Sequence, residues 1–209
     1  MRPPVRRGAG RGSAGEDTRS RIIEAARELL VAEGFRGFTV EKVADRAGVS
    51  RMTVYYQFAS KQDLLEAVLD DFGARGRIDR LPQAFAMKDA EAALAAFISI
   101  FCGFWASNRP ALRRLRSWAA LERGAEEAGH ERDEWRRRGV QTIVRRLREQ
   151  LGTPPEHEEA EVVDLLHTLT SFESYDSLAR GGRTPEEVAR LMNLVARAIL
   201  GLRGEPTGA

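Results

Sequence analysis

The sequence holds one cysteine, Cys102, so no disulfide can form within the chain, and a reducing cytoplasm is the expected setting. Its three histidines, at 130, 157 and 167, are scattered without metal-ligand spacing, so no metal site is expected. No cofactor is expected either. There is no phosphate-cradling P-loop, no Rossmann glycine pattern and no serine in a nucleophile elbow, so the sequence does not read as an enzyme. No uninterrupted run of eighteen or more apolar residues occurs, so no transmembrane helix and no membrane partner are expected. The start, MRPPVRRGAGRGSAG, has arginines but no apolar stretch behind them and does not read as a secretory signal. The end, GEPTGA, carries no lipidation motif. Strand-like alternation and internal repeats are also lacking.

Charge is present in quantity but unevenly placed. Residues 1–61 carry 12 Lys/Arg and 7 Asp/Glu, a net of +5; the remaining 21 and 24 give residues 62–209 a net of −3. A basic first third before a mildly acidic remainder suggests that the first third meets a polyanion. Residues 1–17 lack hydrophobic periodicity and read as a disordered basic arm, either a solvated tail or a groove-binding extension.

Helical periodicity begins at Thr18, with Ile22, Ala26, Leu29 and Leu30 on one side, and stops at Gly34. Thr39 caps a second, short helix carrying Val40, Val43, Ala44 and Ala47. Gly48 ends it, and Ser50 caps a third helix that runs to about Phe58. Ser60 with Asp63 opens a fourth. Further on, 89–107 is apolar on nearly every side, Pro110 marks a new start, and 131–151 follows a glycine-containing break. After the stop at Gly152-Thr153-Pro154-Pro155 come 156–179 and, behind Gly181-Gly182, a last helix from Thr184-Pro185-Glu186-Glu187. The fold class is all-α, with about nine helices.

The stretch GVSRMTVYYQF puts two tyrosines side by side. Val54 and Phe58 are four apart and share one face, which marks the core side. Tyr55 lies about 100° round from Val54 and Tyr56 about 200°. Tyr56 therefore points away from the core and Tyr55 sits at its edge, with Arg51, Met52, Thr53 and Gln57 on the same outward surface. Two helices joined by a short glycine-containing turn, the second with such a face, form a helix-turn-helix suited to the major groove of double-stranded DNA. Arginine can pair with guanine, methionine can touch a thymine methyl, and Thr and Tyr hydroxyls can bind phosphate.

Residues 18–69 resemble the DNA-binding domain of the tetracycline-repressor (TetR) family. The resemblance runs through Gly34-Phe35, FTVEKVADRAGVS, and TVYYQF followed by SK and DLL. It implies a three-helix DNA-binding domain at 18–62 and a helical effector-binding and dimerisation domain at 63–209. It places Arg51 and Met52 at base-reading positions. Thr53, Tyr55, Tyr56 and Gln57 would touch mainly phosphates, and Thr39 and Lys61 would hold the DNA backbone. Glu41 departs from relatives that have arginine there; it would accept from cytosine or cap its own helix.

The resemblance also implies a homodimer through about 156–203, a pseudo-palindromic operator, cytoplasmic localisation at the nucleoid, and release of a repressor by a small molecule. An activator or a ligand-independent regulator is the alternative, and a helical scaffold without DNA binding a remoter one. A largely apolar effector would meet Phe101, Trp105, Trp118, His167, Phe172 and Tyr175. Each of these rings has a competing role as plain core, and His167 as a hydrogen-bonded core histidine. Cys102, in an apolar run, reads as core rather than as a redox sensor. The arginine clusters at 113–116, 136–138 and 145–148 read as solvated, ion-paired helix faces.

Overall fold

Helix capping and glycine punctuation account for most element boundaries in the computed structural model, which describes residues 11–119, 125–151 and 158–202 and, within these, leaves out the side chains of 11–14, 118–119 and 125–129. The described residues form ten α-helices and one 3-10 turn, with no strand. They are α1 (Arg11–Gly37), α2 (Val40–Ala47), α3 (Arg51–Gln57), α4 (Lys61–Arg75), a 3-10 turn (Ile78–Arg80), α5 (Leu81–Ala86), α6 (Ala90–Ala119), α7 (Ala125–Leu151), α8 (Glu159–Leu169), α9 (Phe172–Leu178) and α10 (Pro185–Ile199).

The chain divides into two compact units, residues 1–71 with 113–122, and residues 72–112 with 123–209. The first unit extends beyond the expected limit at residue 62 because the first half of α4 shares its core: Leu64 and Val68 are fully buried. Its core also includes Ile22, Ala26, Leu29 and Leu30 of α1, Phe38 ahead of α2, Val43 and Ala44 of α2, and Val54 and Phe58. Gly34 breaks α1 at φ 70, a left-handed angle that costs glycine little.

In the second unit, Leu94, Phe97, Ile98, Phe101 and Cys102 of α6 pack into one apolar cluster with Val140, Ile143 and Val144 of α7, Val162 and Leu166 of α8, and Val188 and Met192 of α10. Gly139 lets α7 approach closely: a Cβ there would stand 2.9 Å from Phe97 Cε2. Arg146 donates to the Phe85 carbonyl at 2.9 Å, and Gln150 accepts from the Ala90 amide at 2.9 Å, tying both ends of the α5–α6 connection to α7. Cys102 is fully buried with its thiol donating to Met192 Sδ at 3.6 Å, and burial, then the charge of Glu186, pushes its pKa up to about 12. Such a thiol is inert packing.

Several expectations are corrected. Helix α1 begins at Arg11, so 11–17 are helical although they lack an apolar stripe; a helix can grow into solvent once its next turns are packed. Residues 1–10 of the expected arm lie outside the described residues. Pro110 does not start a helix but lies within α6. It is exposed, and its lack of an N–H removes the hydrogen bond to the Ala106 carbonyl. The stretch 156–179 is two helices: Ser171 turns extended (ψ 162) and its hydroxyl accepts from the Ser174 amide, capping α9. The 3-10 turn and α5 were not legible as elements; Arg77 enters them at φ 58. By length and composition Ala90–Ser117 of α6 could cross a bilayer, with mean hydropathy 1.6. Ser99, Gly103 and Ser107 interrupt the apolar run while barely lowering its average. Here the helix serves as the core helix of the second unit.

Candidate nucleic-acid interface and effector region

Helix α3 is only seven residues long, too short to persist alone, and is held from both sides. At its start Ser50 Oγ accepts from the Thr53 amide at 3.1 Å, a cap worth about 1 kcal/mol. Val54 (1% exposed) and Phe58 (3%) anchor its inner face. Gly48 makes the turn in the left-handed region, and its amide closes α2 on the Ala44 and Asp45 carbonyls. The outer face is thereby rigidly presented: Met52 is 75% exposed, Tyr55 42% and Tyr56 87%. The two tyrosines thus face solvent, as their angular positions require.

The other expected contacts gather on the same unit. Arg51 and Lys61 are exposed; Thr39, Thr53 and Gln57 are half-buried. Thr39 Oγ1 accepts from the Lys42 amide at 3.3 Å, capping α2, while its own O–H remains a donor. Thr53 Oγ1 lies 2.9 Å from Ser50 Oγ. Lys61 Nζ sits 5.6 Å from the Phe38 ring centroid, a cation–π contact that steadies it at the start of α4. Arg19 lies over the Phe58 ring at 4.7 Å.

Thr39 provides the side-chain cap of α2, and Glu41, in the first turn of that helix, is ion-paired with Arg51, Nη2 to Oε1 at 2.8 Å. The sequence signal for this pair was weak, because the ten-residue separation acquires meaning only once the two helices are packed.

In the second unit three of the expected effector residues, Phe101, Trp105 and Phe172, are linked through their rings, together with Phe97. Phe97–Phe101, Phe101–Trp105 and Trp105–Phe172 have centroids 4.7, 5.8 and 5.7 Å apart. Phe101, Phe172 and Tyr175 are buried, and Trp105 is half-buried with Nε1 donating to the Thr170 carbonyl at 3.0 Å. Burial raises the Tyr175 pKa. Trp135 is 44% exposed and stands outside this set. The Trp118 side chain lies outside the described residues.

His167 adjoins a residue that sequence reasoning placed on the surface. Arg136, part of an apparently solvated cluster, is 3% exposed. It donates to Thr170 Oγ1 at 2.8 Å, to Asp133 Oδ1 at 2.6 Å and to the His167 carbonyl. Its Nη2 also lies 2.8 Å from His167 Nε2, while Asp133 Oδ2 lies 3.3 Å from the same nitrogen. Nε2 cannot accept from Arg136 and donate to Asp133 at once. Burial first, then the Arg136 charge, lowers the His167 pKa, against the opposing pull of Asp133. The lowered pKa favours the neutral ring, whose Nε2 can then accept from Arg136, an arrangement suited to a hydrogen-bonded core histidine. Protonation then favours the unfolded chain, whose histidine titrates near 6.5. Stability from this group is present above pH 6.5 and declines as pH falls from there toward the lowered folded value. His167→Asn is expected to flatten that acid limb of a stability–pH profile, measured by urea unfolding at successive pH values.

A packed helix-turn-helix with an exposed, capped second helix, followed by an all-helical unit, defines a DNA-binding regulator fold. Residues 22–68 match the family of bacterial regulatory proteins, tetR family. The first unit is thus similar to the DNA-binding domain of this family. The chain is 37% identical over 83 residues to the HTH-type transcriptional regulator SrpR of Pseudomonas putida, covering 40% of this chain and 39% of that one. It is 36% identical over 83 residues to the HTH-type transcriptional regulator TtgW of Pseudomonas putida, covering 40% of this chain and 62% of that one. The matched segment thus spans less than two thirds of either relative. The structure of the Bacillus subtilis transcriptional regulator FadR, in complex with stearoyl-CoA, superposes with a TM-score of 0.66 over 88% of this chain and 99% of that one. At 18% identity this likeness concerns the fold.

Proposed function

We propose that this chain is a dimeric transcriptional repressor that binds a pseudo-palindromic DNA operator and is released by a small, largely apolar molecule. The observation that carries the reading is α3: seven residues, capped at Ser50 and anchored by Val54 and Phe58, with Arg51, Met52, Tyr55 and Tyr56 turned to solvent. A large exposed aromatic pair beside an arginine on a rigid short helix matches a major-groove reader. Arg51 and Met52 would read base edges. Thr39, Thr53, Tyr55, Tyr56, Gln57 and Lys61 would hold the backbone.

Dimerisation is proposed through α8 and α10. Leu165 on α8 is 45% exposed, and Leu194 and Val195 on α10 are 55% and 46% exposed, which leaves apolar surface for an isologous four-helix contact. The effector would bind in the second unit near Phe101, Trp105, His167, Phe172 and Tyr175, where aromatic walls suit an acyl or aromatic ligand. The acyl-bound relative in fold supports that class of ligand. Ligand binding would favour the conformation with lower affinity for DNA.

The test is a selection of the purified protein against sheared DNA of its own genome. One enriched palindrome supports the reading, and the adjoining genes indicate the effector. No enrichment over random DNA at moderate salt overturns it. Transcription from the selected promoter with and without the protein separates repression from activation. Tyr56→Ala is expected to weaken binding to the selected and to random DNA alike, by about tenfold, measured by fluorescence anisotropy.

A further inference from the structure

The first residue of α3 does not stand alone. Arg51 is ion-paired with Glu41 at 2.8 Å, joining the first turn of α3 to the first turn of α2. The two side chains are 57% and 52% exposed, so the pair adds little to folding stability. Its main consequence is geometric and electrostatic. A guanidinium has five donors in a rigid fork. Glu41 draws the Nη2 side of the fork to itself, and the other edge of the guanidinium is left for the two acceptors of a guanine. An untethered exposed arginine would sample many rotamers and bond any phosphate within reach. A tethered one is aimed, and its carboxylate partner repels phosphates that approach out of register.

We propose that Glu41 is a positioning residue for base recognition: it holds the Arg51 guanidinium toward a guanine edge and penalises the use of that arginine on the DNA backbone. The inference rests on the DNA-binding reading given above. Glu41 is thereby a specificity residue that need not touch a base.

The experiment uses the full-length protein and the operator from the genomic selection, with every base pair substituted in turn. Wild type, Glu41→Ala, Glu41→Gln, Arg51→Ala and the double variant Glu41→Ala/Arg51→Ala are titrated against these duplexes and against random DNA. Glu41→Ala is expected to lose about tenfold in preference at the same base pair where Arg51→Ala loses it. Its affinity for random DNA should rise about threefold or more as a negative charge leaves the interface. The double variant should discriminate no worse there than Arg51→Ala alone, because the two act as one unit. Glu41→Gln keeps an acceptor without the charge, so it should retain part of the base preference while gripping random DNA more tightly. It also carries the test should Glu41→Ala fail to fold.

Equal tightening on every duplex, with all preferences intact, would overturn the proposal and leave Glu41 as simple repulsion. Loss of preference at a base pair insensitive to Arg51→Ala would also overturn it, since Glu41 would then be reading a base itself. If the wild type selects no sequence at all, the DNA-binding reading has failed, and that outcome is visible before any variant is made.

Discussion

Phe97→Ala is expected to destabilise the second unit by about 3–5 kcal/mol, the range for deleting a fully buried aromatic ring. Phe97 is 1% exposed and meets Phe85 and Phe101 at centroid distances of 6.1 and 4.7 Å. Its edge also lies against the backbone of α7 at Gly139, where a Cβ would be only 2.9 Å from Cε2. Little can move into the space the ring would leave. Gly139 has no side chain to reorient, and α6 and α7 are held by the rest of the cluster, so most of the cavity should persist. The measurement is urea unfolding followed by far-ultraviolet circular dichroism. A loss under about 1 kcal/mol would mean that the site collapses around the smaller residue.

Leu194→Glu is expected to convert the proposed dimer to monomer and to weaken operator binding by about 100-fold or more, since joint engagement of two half-sites is lost. Leu194 is 55% exposed in the single chain, so the substitution should cost that chain almost nothing. In an isologous interface each substitution occurs twice, and two carboxylates would be brought onto a desolvated apolar surface. Sedimentation velocity reads the oligomeric state, and anisotropy reads the affinity on the same preparation. A dimer that survives the change would place the interface elsewhere. A monomer that binds the whole operator as tightly as before would remove the need for two reading heads.

The first unit was largely legible from its sequence because its signals are local. The Thr39, Ser50 and Ser60 caps, the Gly48 turn, and the four-residue spacing of Val54 and Phe58 act over a few residues, and each places the side chains as expected. The exposure of Tyr56 follows from the same spacing. The second unit was less legible. A proline within a long sequence reads as a boundary, yet α6 continues through Pro110, whose ring is exposed, at the loss of one hydrogen bond. The break at Thr170 looked continuous because the apolar spacing runs on through Phe172 and Tyr175, while the Ser171 cap that ends it resembles many serines that cap nothing.

The sequence by itself determined the all-helical class, the helix-turn-helix, and which face of α3 is free, because capping and periodicity are properties of neighbouring residues. Only the tertiary structure decided that Arg136, from a cluster that reads as solvent-facing, is buried against His167 and Thr170, and that Glu41 is ion-paired with Arg51. Both outcomes depend on which helices cross and at what distance. A charged side chain takes its partner from whatever the packing brings within reach, and that is not encoded in the spacing along one helix.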